Sequence, residues 1–401
     1  MIMGPDHCDV LVVGGGIHGV GIAQAAAAEG HRVVLLEKTS LAAGTSSRSS
    51  KLIHGGLRYL ESGHIGLVYE SLRERRLLVT NAPDLVRMQH FYLPVYKTTR
   101  RKDWQLITGL SMYAVLSGFG RGSGFKRIGS AATDYFDGIK TKDLKAIYRY
   151  SDASTDDIEL TRSVAASAVS MGARLRMPAK FLGAQLEKNG CAVRFEHEGQ
   201  EREVFCRILV NAAGPWADRV LDGISPTQKK VPLSLVRGSH LVLPNCPVEH
   251  RYYLENPRDG RGIFVLPWYG GTMVGTTEAR YKGHPDEVAP SSAEIRYLWS
   301  VLIRHFPHYA DVDRSSLTAF AGLRVLPVGD GHAFHLSRET RLIADRKFHP
   351  RVLTIYGGKL TAYRATAEKV IRSIEGSLAT RRVVADTRRL RLDPVPADWP
   401  K

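Results

Sequence analysis

Three glycines near the N-terminus have the spacing that lets a polypeptide backbone approach the phosphates of a dinucleotide. Gly14, Gly16 and Gly19 follow the pattern GxGxxG, with Gly15 between the first two. The first glycine of this pattern permits a tight turn, the second lets backbone approach a pyrophosphate, and the third allows close helix packing. Glu37 follows where an acid can bind both hydroxyls of a ribose. An acid at that position would repel the 2′-phosphate of NADP, so NAD and FAD remain as alternatives.

The segments around these glycines predict the elements that hold them in place. Residues 9–13, DVLVV, are typical of a buried strand, and residues 31–37, HRVVLLE, of a second one. Between them lies an alanine-rich stretch that predicts a helix ended by Gly30. This order places the glycine turn at the N-terminus of the helix, where free N–H groups and the helix dipole favour a phosphate. An accidental glycine-rich loop would not have strand, helix, strand and acid in register.

A second glycine-containing segment separates NAD from FAD. Residues 40–61, SLAAGTSSRSSKLIHGGLRYLE, place a run of hydroxyl side chains before an HGG turn. An enzyme that uses diffusible NAD has no obvious need of this segment, whereas a flavoenzyme must hold the long FAD and line its ring with close backbone. The alternative is a surface loop rich in serine and threonine. The FAD contacts predicted in this segment are Thr45, Ser46, Ser47, Ser50, Leu52, His54, Gly55 and Gly56.

Ten short motifs, spread over most of the chain, carry a resemblance to a known family. In chain order they are GGGIHGVG, TSSRSSKLIHGGLRYLE, FYLP (91–94), YSDASTDDIEL (150–160), LVNAAGPWAD (209–218), VRGSHLVLP (236–244), FVLPWYGGTMVGTTEARYKG (264–283), AGLRVLP (321–327), LSRET (336–340) and IYGGKLTAYR (355–364). With these motifs the chain resembles the FAD-dependent glycerol-3-phosphate dehydrogenases, which belong to the larger class of D-amino-acid-oxidase-like flavoproteins.

The resemblance implies an α/β fold in which a Rossmann-type FAD-binding domain, of the glutathione-reductase and DAO type, is interleaved with an antiparallel β-sheet substrate domain. The glycines of YGGTMVGTT agree with this, because they lie between apolar runs and predict a hairpin. The predicted division is residues 1–95 as the first part of the FAD-binding domain, 96–149 as the first part of the substrate domain or cap, 150–225 as the second FAD-binding part, 226–320 as the second substrate part, and 321–401 as the third FAD-binding part with a short basic tail.

The resemblance also implies a reaction, the oxidation of sn-glycerol 3-phosphate to dihydroxyacetone phosphate. Hydride would pass to flavin N5, and quinone or another acceptor would reoxidise the flavin. A phosphate dianion needs several cationic donors, preferably arginine forks. The family positions imply Arg58, Tyr59 and Arg338 as the substrate and phosphate pocket. The catalytic residues implied are His240, Arg324 and Lys359, with His240 as the base and an ordinary packed histidine as its alternative.

Two further segments are predicted to contact FAD. Ala213 and Gly214 follow an apolar strand at residues 203–210 and offer small side chains for close approach. Gly357, Gly358, Lys359 and Thr361 precede a stretch typical of a helix, whose N-terminal dipole can favour negative charge on the reduced flavin. No metal is expected, because no cluster of ligands has the spacing of a metal site.

Composition limits the compartment and the partners. The 401-residue chain has 56 Lys and Arg against 40 Asp and Glu, which gives a net charge of +16 and favours small anionic partners. No basic groove with aromatic side chains and no nucleic-acid-binding signature is present, so nucleic acid is not expected as a partner. The four cysteines, Cys8, Cys191, Cys206 and Cys246, are far apart in sequence and form no CxxC pair. Together with the absence of a signal peptide, this predicts a cytoplasmic protein without a disulfide framework.

One segment raises the question of a membrane surface. Residues 96–127 place basic clusters at both ends of the apolar, helix-forming stretch WQLITGLSMYAVL. Such a helix could lie on anionic lipid at the inner face of the cytoplasmic membrane and reach quinone. The alternative is a helix that faces the core and has solvated basic ends. Both interpretations remain open, as does assembly as a homodimer or with a partner subunit.

The chain departs from the family pattern after Arg364. Only residues 365–401 follow, so we expect the helical C-terminal domain of the family to be missing. Two alternative functions therefore stay open. One is an FAD-dependent oxidase or dehydrogenase of another polyol phosphate, or of a hydroxy or amino acid. The other is a flavin-bearing subunit of a membrane electron-transfer complex.

Overall fold

Two β-sheets organise the chain, and the computed structural model describes it over residues 6–61, 63–118, 124–129, 135–327 and 340–400. The first sheet contains β1 (Asp6–Val13), β2 (Val33–Leu36), β7 (Arg174–Arg176), β8 (Ala179–Glu187), β9 (Gly190–His197), β10 (Gln200–Asn211), β11 (Ile224–Ser225), β18 (Arg341–Ala344) and β19 (Val352–Tyr356). The second contains β3 (Leu52–Ile53), β4 (Val86–Tyr96), β5 (Lys126–Gly129), β6 (Leu144–Thr155), β12 (Leu233–Leu243), β13 (Arg251–Glu255), β14 (Gly262–Trp268), β15 (Gly271–Gly275), β16 (Ala279–Tyr281) and β17 (Thr318–Pro327).

Helices cover the first sheet and the ends of the second. They are α1 (Ile17–Ala28), α2 (Arg58–Glu61), α3 (Ile65–Asn81), α4 (Asp103–Leu116), α5 (Asp157–Ser170), α6 (Ala217–Asp222), α7 (Ser292–His305) and α8 (Tyr363–Ile374). Short 3₁₀ turns lie at Thr45–Ser47, Gly214–Trp216, Pro285–Glu287, Pro307–Asp311, Arg314–Ser316, Leu360–Ala362 and Glu375–Ser377.

The centre of the first sheet is parallel. Its strands run in the order β10, β1, β2, β7, and β19 pairs in parallel with the end of β10. All four residues of β2 are buried, as expected for a strand covered on both faces. The predicted strand, helix, strand unit is therefore present as β1, α1 and β2, and its glycine turn opens at the carboxyl edge of the sheet.

Helix α1 lies between the first sheet and two other helices, α5 and α8. Apart from His18, its residues are buried, in keeping with its alanine-rich and nearly apolar sequence. Gly21 allows the closest approach, because a Cβ at this position would lie 2.6 Å from the ring of Tyr363 on α8. The N-terminus of α1 is thus fixed from three sides.

The second sheet is mostly antiparallel, with β4 and β13 as its parallel pair. Strands β14 and β15 form the predicted hairpin, and their turn carries Tyr269 at φ +43° and Gly270 at φ +72°. Two residues with positive φ are the requirement of a tight type I′ turn, which explains the glycine there. The two sheets with their helices have the predicted fold class.

The predicted domain boundaries stay a prediction, but the sheets show how the segments interleave. Strand β4 ends the first predicted FAD-binding segment and β17 begins the last, and both belong to the second sheet. The chain therefore passes repeatedly between the two sheets.

Two features of the chain were not anticipated. Cys8, Cys206 and Cys191 lie opposite one another on β1, β10 and β9, where all three are buried and free. The stretch 379–400 has no regular structure, yet it is bound along the helical side of the first sheet. Its Val384 amide donates to the Ala28 carbonyl (2.7 Å), and its Leu392 amide donates to the Asn81 carbonyl (2.7 Å).

Helix α4 confirms the predicted helix around WQLITGLSMYAVL and has two distinct faces. Leu106, Leu110 and Tyr113 are buried, whereas Trp104 and Val115 are 63% and 54% exposed. Within the described ranges, no helix is both long and apolar enough to cross a membrane.

Candidate functional site

A cavity of about 930 Å³ extends along the edges of both sheets. Its volume lies at the upper end of the roughly 300–1,000 Å³ that is usual for small-molecule and cofactor sites. Most of the residues predicted from the sequence line it. These are Gly14, Gly16, Glu37, Thr45, Ser46, Ser50, Leu52, His54, Gly56, Arg58, Tyr59, Ala213, Gly214, Arg324, Gly357, Gly358, Lys359 and Thr361.

The glycine turn presents the N-terminus of α1 to this cavity. Gly14 has φ +112°, and a Cβ there would lie 2.7 Å from the carbonyl oxygen of Ala212. Gly16 caps the helix without a side chain, and the amide of Ile17 donates to the hydroxyl of Ser46 (2.9 Å). Glycine backbone, a positive helix end and an adjacent hydroxyl form a suitable cradle for a pyrophosphate.

Glu37 lies at the end of β2 with its carboxylate fixed in place. One carboxylate oxygen accepts from the amide of Gly15 (2.7 Å), and the other accepts from the amide and hydroxyl of Thr39 (2.8 and 3.1 Å). A carboxylate has about four acceptor positions, so capacity remains for a hydroxyl in the cavity.

Several predicted cofactor contacts do not line the cavity but support residues that do. Gly15 packs on Glu37, and Gly19 lies against the Gly14 carbonyl, so that a Cβ at either would clash. The hydroxyl of Ser47 donates to the nearby carbonyl of Gly44 (3.2 Å). These residues lie beside the cavity, and the contacts that the structure shows for them are within the protein.

The HGG turn stands on a buried polar network. The amide of Gly55 donates to the hydroxyl of Tyr113 (2.8 Å), which donates to Asp152 (2.7 Å), and Asp152 pairs with Arg75 (2.5 Å). Burial raises the pKa of Asp152, although Arg75, Tyr113 and Gly55 all act to lower it. Because Tyr113 belongs to α4, this helix contributes directly to the shape of the turn. Gly55 is consequently held beneath the cavity rather than at its surface.

The glycines after β19 adopt left-handed conformations, with φ +79° at Gly357 and +102° at Gly358. A Cβ on Gly358 would strike the imidazole of His18, so the turn packs tightly on the first turn of α1. Thr361 connects the turn to the HGG segment, because its hydroxyl accepts from the amide of His54 (3.1 Å). The segment therefore reaches the cavity as predicted.

One end of the cavity, here called the arginine end, contains Arg58, Arg261, Arg324, Lys359 and Glu278. The Glu278 carboxylate lies 3.3 Å from the Arg58 guanidinium and 3.5 Å from that of Arg324. Arg261 donates to the Glu278 main-chain carbonyl (3.3 Å). Burial alone would lower the pKa of Arg58, but Glu278 more than offsets this and the pKa is raised.

Lys359 and Tyr59 extend the arginine end. The ammonium of Lys359 lies 4.0 Å from the centre of the Tyr59 ring and 3.4 Å from the hydroxyl of Ser71. The Arg58 guanidinium lies 5.6 Å from the centre of the same ring. Four cations from separate parts of the chain are thus arranged around one acid and one aromatic ring.

His240 lies one side chain away from the cavity. It is 2% exposed, and its Nε2 is 3.0 Å from the hydroxyl of Ser50, which does line the cavity. The imidazole stacks on Phe320, with the ring centres 4.8 Å apart. Burial, with Arg324 and Lys51 nearby, lowers the pKa of His240 to about 3, so the ring is neutral near pH 7. The predicted base is therefore in the right protonation state but contacts the cavity through Ser50. Arg338, predicted for the phosphate pocket, lies outside the described residues.

The opposite end of the cavity, here called the Glu37 end, is closed by a second acid. Asp286 accepts from the indole of Trp216 (2.8 Å) and lies 3.3 Å from Lys38 and 3.4 Å from Arg219. All four residues line the cavity. This cluster joins the segment before α7 to the FAD-binding side of the chain.

Sequence reasoning missed the two acids and Arg261. Glu278 lies inside the motif FVLPWYGGTMVGTTEARYKG, so the resemblance offered a signal that was not assigned to a residue. Asp286 and Arg261 lie in polar segments whose composition is that of an ordinary loop. Their roles follow only from the folded arrangement.

The residues present fit an FAD. The N-terminus of α1 behind its glycine turn suits the pyrophosphate, Glu37 suits the ribose, and the glycine turns at Gly56 and Gly357 allow backbone to approach a flat ring. The cavity is long enough to include both these features and a cationic end. An extended dinucleotide can therefore bind beside a separate anionic substrate.

Comparison with known proteins gives consistent matches. The sequence profile of the DAO family, described as FAD dependent oxidoreductase, matches residues 9–364. A glycerol-3-phosphate dehydrogenase of Pseudomonas aeruginosa is 37% identical over 378 residues, which cover 92% of this chain and 71% of the relative. A D-erythritol 1-phosphate dehydrogenase of Brucella abortus is 35% identical over 369 residues, covering 91% and 73%. The crystal structure of the glycerol-3-phosphate dehydrogenase from Bacillus halodurans complexed with FAD superposes with a TM-score of 0.75 at 25% identity, covering 96% and 68%.

Proposed function

Because the chain belongs to the DAO family of FAD dependent oxidoreductases, we propose that it oxidises the secondary alcohol of sn-glycerol 3-phosphate to dihydroxyacetone phosphate. The match to the family model confirms two predictions made from the sequence, the family and the FAD cofactor. Bound FAD supplies the acceptor for the hydride of the carbinol carbon. The protein supplies the substrate pocket, the orientation and the proton acceptor.

The single observation that carries this proposal is the cation cluster of the arginine end. Arg58, Arg261, Arg324 and Lys359 all line the cavity, and Glu278 is the acid among them. A cluster with this excess of positive charge suits a phosphate dianion, which benefits from two or more charge-assisted hydrogen bonds. It is less suited to an uncharged polyol. The names of the relatives from Pseudomonas aeruginosa and Brucella abortus support a polyol phosphate.

For the proton, we propose a path through Ser50 to His240. The substrate hydroxyl would donate to the Ser50 oxygen, and the Ser50 hydroxyl would donate its own proton to His240 Nε2, which lies 3.0 Å away. The buried imidazole is neutral near pH 7, so it can accept this proton, but its lowered pKa makes it a weak base. Arg324 has five N–H donors, so besides binding the phosphate it can stabilise the developing alkoxide of the same small substrate.

The test is anaerobic reduction of the purified, FAD-loaded protein. Addition of sn-glycerol 3-phosphate should bleach the flavin absorbance, whereas glycerol at the same concentration should not. Bleaching by hydroxy or amino acids but not by phosphate esters would contradict the proposal and favour a carboxylate substrate.

A second candidate substrate is D-erythritol 1-phosphate. The relative from Brucella abortus, similar over 91% of this chain, is the observation in its favour. Both substrates have a phosphate and a secondary alcohol, so the arginine end suits either. The ratio of the two bleaching rates at equal, subsaturating concentrations decides between them, and a ratio above about 10 corresponds to a preference of roughly 1.4 kcal/mol.

We further propose that the exposed face of α4 binds a membrane surface, from which quinone reoxidises the flavin. Trp104, Ile107, Met112 and Val115 are exposed on this face. Two exposed basic side chains lie at the ends of α4, Lys102 at its N-cap and Arg76 beside Gly118. Apolar side chains beside cations are the pattern of an interfacial helix on anionic lipid.

Sedimentation with vesicles tests this proposal. The wild type should bind vesicles that contain phosphatidylglycerol, and exchange of Trp104 and Val115 for serine should weaken binding at least tenfold, since full burial of even one large apolar side chain contributes about 1.5–3 kcal/mol. Phe348→Ser is the matched control, because Phe348 is 71% exposed and lies elsewhere in the chain. Equal binding by all three proteins would overturn the membrane proposal.

A further inference from the structure

We infer that Glu278 is a positioning residue, which holds the guanidinium groups of Arg58 and Arg324 together so that both face one anion. This inference rests on the proposed function, since it assumes that the arginine end binds the phosphate of the substrate. The carboxylate lies between the two groups, 3.3 Å from Arg58 and 3.5 Å from Arg324. Its side chain is 5% exposed, so water screens these contacts little.

The two arginines come from separate parts of the chain. Arg58 begins the short helix α2, and Arg324 lies on strand β17 of the second sheet. Their like charges repel, and each side chain is long and flexible. One acceptor oxygen held between them restricts both side chains before the substrate arrives, despite this repulsion. Preorganisation of this kind places catalytic binding groups without a cost at the moment of reaction.

Glu278 is itself fixed by its neighbours. The amide of Ser239 on β12 donates to the hydroxyl of Thr277 (2.9 Å), which in turn donates to Glu294 on α7 (2.6 Å). Arg261 donates to the main-chain carbonyl of Glu278 (3.3 Å). Glu278 therefore holds the two guanidinium groups in a fixed position relative to the second sheet.

An acid in a site for an anion needs an explanation, because its charge opposes binding. A role in charge balance and a role in position make opposite predictions for two variants. Glu278→Asp keeps the charge but withdraws the carboxylate by one methylene, beyond reach of both arginines. Glu278→Gln keeps the length and an acceptor oxygen but removes the charge.

The experiment compares kcat/KM for the two variants with sn-glycerol 3-phosphate, using FAD-loaded protein of confirmed flavin content. If Glu278 positions the arginines, Glu278→Asp should lower kcat/KM about tenfold or more and Glu278→Gln by less, since small misplacements of binding groups cost up to about 100-fold. The matched controls are Glu287→Asp and Glu287→Gln, at an exposed acid of the same connecting segment. A larger loss in Gln than in Asp, or values within twofold of the wild type in both, would overturn the inference.

Calorimetric titration with inorganic phosphate separates this inference from the proposed function. Phosphate binding requires no turnover, and the Asp variant, which keeps the charge, should bind it more weakly than the wild type by about threefold or more. If no polyol phosphate bleaches the wild-type flavin but this order of phosphate affinity holds, the proposed substrate is wrong and the role of Glu278 stands. If the wild type does not bind phosphate, or the order is reversed, the role of Glu278 is wrong.

Discussion

The two ends of the cavity each depend on one acid from the segment that connects β15 to α7, but the acids act in different surroundings. Glu278 at the arginine end is 5% exposed, whereas Asp286 at the Glu37 end is 45% exposed. A buried carboxylate that pairs with two arginines is weakly screened, and its removal leaves cations uncompensated. A half-exposed one contributes little per contact and weakens further in salt. We therefore expect the ion pairs of the arginine end to hold a fixed geometry. The weaker ion pairs of the Glu37 end should break more readily and let the cavity open there.

The largest expected effect tests the arginine end directly. Arg324→Ala should lower kcat/KM for sn-glycerol 3-phosphate by on the order of 100-fold, because it removes a charged donor from a largely enclosed anion site. Stopped-flow measurement of anaerobic flavin reduction gives this value. Arg219→Ala, which changes a cation of the Glu37 end, should leave the rate at saturating FAD within about threefold. Similar losses from both substitutions would remove the distinction between the two ends.

Acid should destabilise the side of the protein behind the arginine end. His240 has a pKa of about 3 in the folded protein because of burial, against about 6.5 when unfolded. The unfolded chain therefore binds the proton first, and stability is lost as pH falls from about 6.5 towards 3. The slope from this one group is up to about 1.4 kcal/mol per pH unit. Half-buried His18, whose pKa is lowered to about 4 by desolvation, adds to the loss over a narrower range.

Urea denaturation at a series of pH values checks this prediction. His240→Gln should reduce the dependence of the unfolding free energy on pH between 4.5 and 6.5, relative to the wild type. A wild-type free energy that does not change across this range would show that His240 takes up its proton equally in both states, contrary to its burial.

A smaller effect is expected from the support beneath Arg58. Tyr113→Phe removes the acceptor of the Gly55 amide and a donor to buried Asp152, so it should lower stability by about 1–3 kcal/mol. Tyr96→Phe removes a hydroxyl that donates to the Lys140 carbonyl away from the cavity, and it serves as the control. Both variants are compared by urea denaturation and by KM. A raised KM in the Tyr113 variant alone is the expected result, and equal KM values would separate the HGG turn from the arginine end.

The smallest effect is expected at the Glu37 end. Asp286→Ala should increase the rate of FAD release about twofold to fivefold, because three half-exposed contacts each contribute at most about 1 kcal/mol. The appearance of free flavin fluorescence measures the rate. Addition of 0.5 M salt should accelerate release from the wild type and leave the variant nearly unchanged. Release that is unaffected by both salt and substitution would mean that the cluster around Asp286 does not close the cavity.

Local sequence patterns were sufficient for the FAD-binding part of the site. The strand, helix, strand unit around Gly14, the hairpin at Gly270 and the helix after Gly358 depend on short-range rules of periodicity and turn chemistry. The resemblance then identified the residues that line the cavity on several distant segments. Arg58, Arg324 and Lys359 were predicted in this way, and the structure brings them to one end of the cavity.

What the sequence did not provide is the arrangement between segments. Glu278 is a single acid in a loop. Its proposed role comes from contacts with Arg58 and Arg324, each more than 40 positions away in the sequence. The sequence predicted His240 as a base at the site. It did not show that Ser50 lies between His240 and the cavity, because that contact joins strand β12 to a loop distant in sequence. The cysteines were considered far apart, because their register across β1, β10 and β9 is a property of the sheet and not of their spacing.

The three neighbouring cysteines of β1, β10 and β9 can be used to measure how often the core around them opens. Cys8 is 2% exposed, and Cys191 and Cys206 are fully buried at the centre of the first sheet. Their thiols can react with an alkylating reagent only when the packing of this core opens, so the labelling rate reports how often it opens. Bound FAD stabilises the closed state by mass action and should slow this labelling in proportion to its occupancy. The labelling rate of these buried cysteines, measured by mass spectrometry of their peptides, would thus report cofactor binding without any optical signal from the flavin.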